Sequence, residues 1–129
     1  MAKITQLTVT AQSKPGVLAK VCDAVARAGV NITALCASES SGRGRIRMVV
    51  SDPARAKQAL TAAKIRCGEE PALLLSLDDR PGALAAVAAR LALAKINIKC
   101  AYATLAAPGT GAQVVVAVAN ADRAERALG

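Results

Sequence analysis

The sequence predicts an α+β fold in which one pattern of strands and helices is laid down twice in tandem. The first observation is a duplication. The stretch Ser13-Lys14-Pro15-Gly16-Val17-Leu18 through Gly29-Val30-Asn31-Ile32 returns as Asp79-Arg80-Pro81-Gly82-Ala83-Leu84 through Lys95-Ile96-Asn97-Ile98, every position displaced by 66. The second is helical periodicity after each Pro-Gly pair. Leu18, Val21, Val25 and Ala28 recur at i, i+3, i+7 and i+10, and Leu84, Val87, Leu91 and Ala94 repeat the stripe. The third is alternation before each turn, with Thr5, Leu7, Val9 and Ala11 against Gln6, Thr8 and Thr10.

In chain order, residues 3–11 form a half-buried first strand. The turn at Ser13 to Gly16 leads into a helix with proline at or near its first position, where a missing N–H costs nothing. The glycine after it lets another group approach the backbone. Free N–H groups at the positive end of such a helix form a seat for a carboxylate or phosphate, although ordinary helix-start chemistry also accounts for Pro and Gly. The helix stops at Gly29, suited to the left-handed position past a helix end. Lys95 stands there in the second copy and predicts a different helix ending.

Asn31 to Glu39 reads as the second strand, Ser40 to Gly44 as a hairpin turn, and Arg45 to Val50 as the third strand, with Ile46, Met48 and Val50 inward. Asp52-Pro53 reads as an N-cap followed by proline at the first position of a second helix, striped with Ala56, Ala59, Leu60 and Ala63. Ile65 to Cys67 is a short fourth strand, and Gly68-Glu69-Glu70-Pro71 links the copies.

The second copy opens with Leu73, Leu75 and Leu77 inward, and Leu74 predicts that its first strand is the more deeply buried of the two. Its hairpin, around Ala107 to Gly111, is two residues longer, so Val114, Val116 and Val118 match Ile46, Met48 and Val50 at an offset of 68. Asn120 replaces Asp52 as cap. The last helix reaches Leu128 with no fourth strand after it, so the apolar first strand lacks one neighbour and is expected to pair with another strand of this chain or of a second chain.

Each unit of about 60 residues is marginal alone, so the copies are expected to share a core or a sheet. Hydrophobic content of 53% excludes disorder. No apolar run reaches the roughly 20 residues that span a membrane, and the N-terminus has no apolar leader, which implies a soluble cytoplasmic protein. Cys22, Cys36, Cys67 and Cys100 lack metal-ligand spacing and the chain has no histidine, so they read as free thiols inside apolar segments and no metal or cofactor is expected. Net charge is +8. Arg43, Arg45 and Arg47 are the one basic cluster, read either as a solvated hairpin or as a phosphate-tracking patch. One Tyr and no Phe or Trp argue against stacking on single-stranded RNA.

The order strand, helix, strand, strand, helix, strand describes a ferredoxin-like unit. Pro15-Gly16-Val17-Leu18 with Gly29-Val30-Asn31-Ile32, and their second copy, resemble the ACT domain family over almost the whole chain. The resemblance implies two ACT domains, residues 1–68 and 69–129, with antiparallel sheets, helices on one face, and a second unit lacking its last strand. It further implies an amino-acid ligand between two ACT units, held by the turn before the first helix and by the start of the second strand. Those positions are Ser13, Lys14, Pro15, Gly16, Val17, Asn31 and Ile32, and Asp79, Arg80, Pro81, Gly82, Ala83, Asn97 and Ile98. Asp79 matches the polar residue that the family places two before the proline better than Ser13 does. Backbone N–H groups would take the ligand's α-carboxylate, with Asn31, Asn97 or Asp79 orienting its ammonium.

The expected function is that of a non-catalytic, allosteric amino-acid-binding regulator, a homodimer acting alone or on an enzyme in trans. Without a nucleophile–base pair, a P-loop or a usable carboxylate pair, catalysis has no support. Two other readings stay open: an interaction or dimerisation module without ligand, and a basic nucleic-acid binder, against whose single-stranded RNA form the lack of Phe and Trp argues.

Overall fold

Hydrophobic alternation and helical period resolve into ten elements in a computed structural model that describes residues 1–105 and 111–129. They are β1 (Ala2–Gln12), α1 (Val17–Arg27), β2 (Ile32–Ser40), β3 (Arg43–Val50), α2 (Pro53–Ala62), β4 (Cys67–Leu77), α3 (Ala83–Leu93), β5 (Cys100–Leu105), β6 (Ala112–Ala117) and α4 (Ala121–Leu128). The expected second hairpin at Ala107 to Gly111 lies, but for Gly111, outside the described residues.

The chain divides into two compact units. One comprises Thr5–Glu69, and the other comprises Glu70–Gly129 with Met1–Ile4. In the first, the strands run β2, β3, β1, with the start of β4 beside β1. Leu7 pairs with Met48 and Val9 with Ile46, which turns their side chains to the same face. Val21 and Val25 of α1 and Ala56 and Leu60 of α2 bury against that face. Leu7, Met48 and Leu60 are 0% exposed, and each such burial is worth roughly 1.5–3 kcal/mol. In the second unit the strands run β5, β6, β4, with the start of β1 beside β4. Leu73 and Leu75, Val114, Val116 and Val118, Leu91 of α3 and Ala124 of α4 form its core. The edge expected to need a partner is therefore covered from within this chain by residues Met1–Ile4.

Several expectations are corrected. The segment Gly68–Pro71, read as a linker, is strand, because β4 runs unbroken from Cys67. It serves as last strand of one copy and first strand of the next. Ile65 precedes that strand rather than opening it. β4 is not the more deeply buried first strand: Ala72, Leu73 and Leu75 are buried with Leu74 half-buried, as Gln6, Leu7 and Val9 are with Thr8. Leu18 and Leu84 lie on the surface, 41% and 51% exposed. Helix α1 starts at Val17, so Val17 with Val21, Ala24 and Ala28 takes the inward stripe and leaves Leu18 at its rim.

The first hairpin is tighter than expected. Ser40 pairs with Arg43 across Ser41 and Gly42, whose φ values of 51° and 77° suit the two-residue turn that matches strand twist. Lys95 does not change its helix ending either. It adopts φ 58°, and the bonds Lys95 N–H to Ala92 O and Ile96 N–H to Leu91 O repeat those of Gly29 to Ala26 and Val30 to Val25. The four cysteines are half-buried and free, and burial pushes the Cys67 thiol up from its ordinary value.

Candidate functional site

The duplicated Pro-Gly turns hold equivalent backbone. Gly16 has φ 91° and Gly82 φ 88°, each the residue before its helix. Proline thus precedes the cap and does not occupy the first helical position. A Cβ at Gly16 or Gly82 would meet nothing within 4 Å, so the positive φ demands glycine here, not a crowding neighbour.

The helix starts fall into two kinds. Asp52 Oδ1 accepts from the Arg55 N–H at 3.1 Å and Asn120 Oδ1 from the Arg123 N–H at 3.0 Å, the expected caps of α2 and α4. Helices α1 and α3 have no side-chain cap. The Val17 N–H donates to the Lys14 carbonyl at 3.4 Å and the Ala83 N–H to the Arg80 carbonyl at 3.3 Å, so each turn closes its first helical N–H with backbone alone. Among the described residues no side chain caps the N–H groups behind it at this positive helix end.

In the first unit the Ser13 N–H donates to the Gly42 carbonyl at 2.9 Å, which draws the hairpin tip against the turn. A pocket of about 240 Å³ opens there, lined by Ser13, Lys14, Val17 and Leu18 from the turn and by Ser38 and Glu39 of β2 among others. Lys14 and Glu39 give it one charge of each sign. Ser38 and Glu39 escaped the sequence reading, since only the short turn at Ser41-Gly42 brings that end of β2 beside Ser13. A larger pocket of about 370 Å³ has Val9, Val17, Val21 and Ile65 in its wall and Lys14, Lys20, Lys64 and Arg66 among its polar residues.

In the second unit the turn is acidic. Arg80 Nε lies 3.5 Å from Asp78 Oδ2, and the Arg80 N–H donates to the Asp78 carbonyl at 2.9 Å. Asp78 is thereby turned to its own arginine. Asp79 is exposed, as are Pro81 and Gly82, and Ala83, half-buried, opens α3.

The asparagines stand elsewhere. Asn31 precedes Ile32, which pairs with Val50, whereas the Pro-Gly turn follows Gln12, which pairs with Arg43 beside Ser40. The eight steps from Ile32 to Ser40 span roughly 26 Å at 3.3 Å per residue. Turn and asparagine thus occupy opposite ends of the same unit, too far apart for one amino acid. The second unit repeats the separation, because β4 ends at Leu77 opposite Ala112 while Asn97 lies before Cys100, which is opposite Ala117. Asn97 does not open a strand: β5 begins at Cys100, and Asn97 and Ile98 lie between α3 and β5. The hydrogen bonds found at Asn31 run through its backbone, and its side chain is exposed.

Among the described residues no group of three or more His, Cys, Asp or Glu is placed to hold a metal ion, and no helix is long and apolar enough to cross a membrane.

Solved structures share this fold. The protein BT0572 from Bacteroides thetaiotaomicron is 30% identical, with a TM-score of 0.88 over 98% of this chain and 86% of that one. The regulatory subunit of aspartate kinase from Thermus thermophilus, in its ligand-free form, is 20% identical with a TM-score of 0.73 over 99% of this chain and 93% of that one. The corresponding subunit from Thermus flavus is 17% identical with a TM-score of 0.69, covering 98% and 93%. A search of curated proteins finds no match. The family described as the ACT domain pair matches residues 2–128, and the chain belongs to that family.

Proposed function

We propose that the chain is a non-catalytic regulatory protein that binds a small amino acid through its Pro-Gly turns. The observation that carries this reading is the contrast among helix starts: α2 and α4 hold their own side-chain caps, while α1 and α3 start at exposed turns with no side-chain cap. An α-carboxylate is the natural acceptor for the N–H groups of such helix starts. The family resemblance supports the same place.

The ligand would lie at an interface between ACT units, the two in each chain taking in residues 1–68 and 69–129, with turn and asparagine drawn from different units. Separation of turn and asparagine within each unit favours this arrangement over a site inside one unit. Backbone N–H groups in the first turns of α1 and α3, behind those of Val17 and Ala83, take the carboxylate, and Asn31, Asn97 or Asp79 takes the ammonium. Lys14 and Arg80 set the charge of each mouth, while Ile32 and Ile98 flank the asparagines. The aromatic-poor composition favours a small polar or aliphatic amino acid. The assembly proposed is a cytoplasmic homodimer that acts alone or on an enzyme in trans; two of the solved structures of similar fold are named as regulatory subunits of aspartate kinase.

A thermal-shift screen against the twenty amino acids at millimolar concentration tests the reading, because a ligand that binds only the folded state raises Tm by mass action. One amino acid should stabilise the protein, and Asn31→Ala/Asn97→Ala should abolish the shift. No shift with any of the twenty, in folded protein, would favour the interaction module.

A further inference from the structure

We propose a second ligand site, for a small phosphate-bearing anion, on the helix-free face of the first unit. Its cationic residues are Arg43 and Arg45 and its hydroxyls are those of Thr10, Ser38 and Ser40. The register builds it. Thr10, Arg45 and Ser38 stand in one cross-strand row, and Gln12, Arg43 and Ser40 in the next. Alternation along β1, β2 and β3 turns both rows away from the core formed by Leu7, Val9, Ile46 and Met48. The tight hairpin makes this possible, since it carries Arg43 into the strand and onto the face of Arg45. A pocket of about 330 Å³ lies over the rows and is lined by these residues with Gly44 and Arg47.

Arg43 and Arg45 bring two positive charges side by side. Residues 5–69 hold ten Lys and Arg against four Asp and Glu, so this unit carries most of the chain's excess charge. Among the described residues neither Arg43 nor Arg45 enters an ion pair. Same-face neighbours on a strand stand roughly 7 Å apart, close enough for like charges to repel. The fold does not require the arrangement, because Gly111, Gln113 and Val115 occupy the equivalent positions of the second copy. A bound anion accounts for what the fold leaves unexplained.

Phosphate fits the donors. Arginine forks pair bidentately with its oxygens, and flanking hydroxyls donate to those that remain. The concavity is at the small end of ligand-pocket sizes, about 300–1,000 Å³, and suits one phosphorylated molecule. With no aromatic side chain in its lining, the site reads phosphate and not a nucleobase. Beyond these rows the face adds one cation, Arg47 in the row of Thr8 and Cys36, too few for a nucleic-acid track. Ser38 also borders the pocket beside the first Pro-Gly turn, but Arg43 and Arg45, which define this site, do not.

Calorimetric titration of the whole chain at low salt with pyrophosphate and with ATP tests the proposal, beside a single-stranded and a duplex oligonucleotide. Wild type should bind both small phosphates, and Arg43→Gln/Arg45→Gln should weaken them by about tenfold or more, equivalent to about 1.4 kcal/mol. Arg27→Gln/Arg55→Gln, which removes equal charge elsewhere in the same unit, should leave affinity within about threefold, since only the general field changes. Ser38→Ala, on a surface strand with no charge altered, checks the site again should the double variant misfold, and should weaken binding of both small phosphates; unchanged binding in it would count against the site. Wild type that binds neither small phosphate, equal losses in the two double variants, or tighter binding per phosphate to an oligonucleotide than to ATP would overturn the proposal.

Discussion

The Asn31 N–H donates to Ser51 Oγ at 3.0 Å, and the Ser51 N–H donates back to the Asn31 carbonyl at 2.9 Å. This reciprocal pair closes β2 onto the end of β3 just beyond the pairing of Ile32 with Val50. The second copy has Ala119 at the matching position, with no hydroxyl to offer Asn97. There the ladder starts later, with the Lys99 N–H donating to the Ala117 carbonyl. Ser51→Ala should lower stability by about 0.5–1.5 kcal/mol and speed amide exchange at Asn31 while core amides stay protected. Denaturant unfolding with hydrogen exchange measures both, and unchanged exchange at Asn31 would show that the hydroxyl does not hold this junction.

Three helices end alike, with φ 75° at Gly29, 62° at Lys64 and 58° at Lys95. The Lys64 N–H to Thr61 and Ile65 N–H to Leu60 bonds complete the set. Two lysines thus hold a conformation that L-residues adopt at a cost of about 1 kcal/mol. Lys95→Gly should raise stability by up to about 1 kcal/mol, and Gly29→Ala should lower it by about as much, since a Cβ at Gly29 meets nothing within 4 Å and only the backbone resists. Thermal unfolding of the two variants should move Tm in opposite directions.

The duplication, the helix stripes and the caps at Asp52 and Asn120 were legible because each rests on spacing within a few residues. The unbroken β4 was not legible, because Gly68 and Pro71 read as turn residues and only long-range pairing makes them strand. Leu18 was misplaced because it fits the i, i+3, i+7 spacing with Val21 and Val25, whereas at about 3.6 residues per turn the stripe centred on Val17, Val21, Ala24 and Ala28 leaves it at the rim. The turn at Gly16 was found from sequence, but Ser38 and Glu39, which line the pocket beside it, depend on a hairpin register that no local pattern declares. The distance between Gly16 and Asn31 needed the register as well.

Lys3 Nζ lies 2.6 Å from Asp122 Oδ1, tying the start of β1 to α4. That hydrogen bond, and then the charge of Lys3, hold the Asp122 carboxyl below its ordinary value, and the same bond and charge raise Lys3. A depressed carboxyl contributes stability above its unfolded pKa of about 4 and loses it as pH falls through the folded value; a raised lysine contributes below about 10.4 and loses it as pH rises through the folded value. The Tm difference between wild type and Asp122→Asn should therefore be level from about pH 6 to 8 and shrink below about pH 4. Both side chains are exposed, so added salt should shrink it too. A difference that grows toward acid would contradict the pairing.

Caps and turns can be separated by comparing variants at both kinds of helix start. Asp52→Ala and Asn120→Ala each remove an acceptor from a first-turn N–H and should cost about 1 kcal/mol. Ser13→Ala and Asp79→Ala remove no helix cap and should stay within about 0.5 kcal/mol of wild type, as surface changes do. If the turns hold an amino acid, the last two should nonetheless weaken the thermal shift given by the stabilising amino acid, whereas the cap variants should keep it. A stability loss at Ser13 and Asp79 equal to that at Asp52 would assign those side chains to the helices. Unaltered stability together with an unaltered ligand shift would remove both from the site and leave only the backbone of the Pro-Gly turns to carry it.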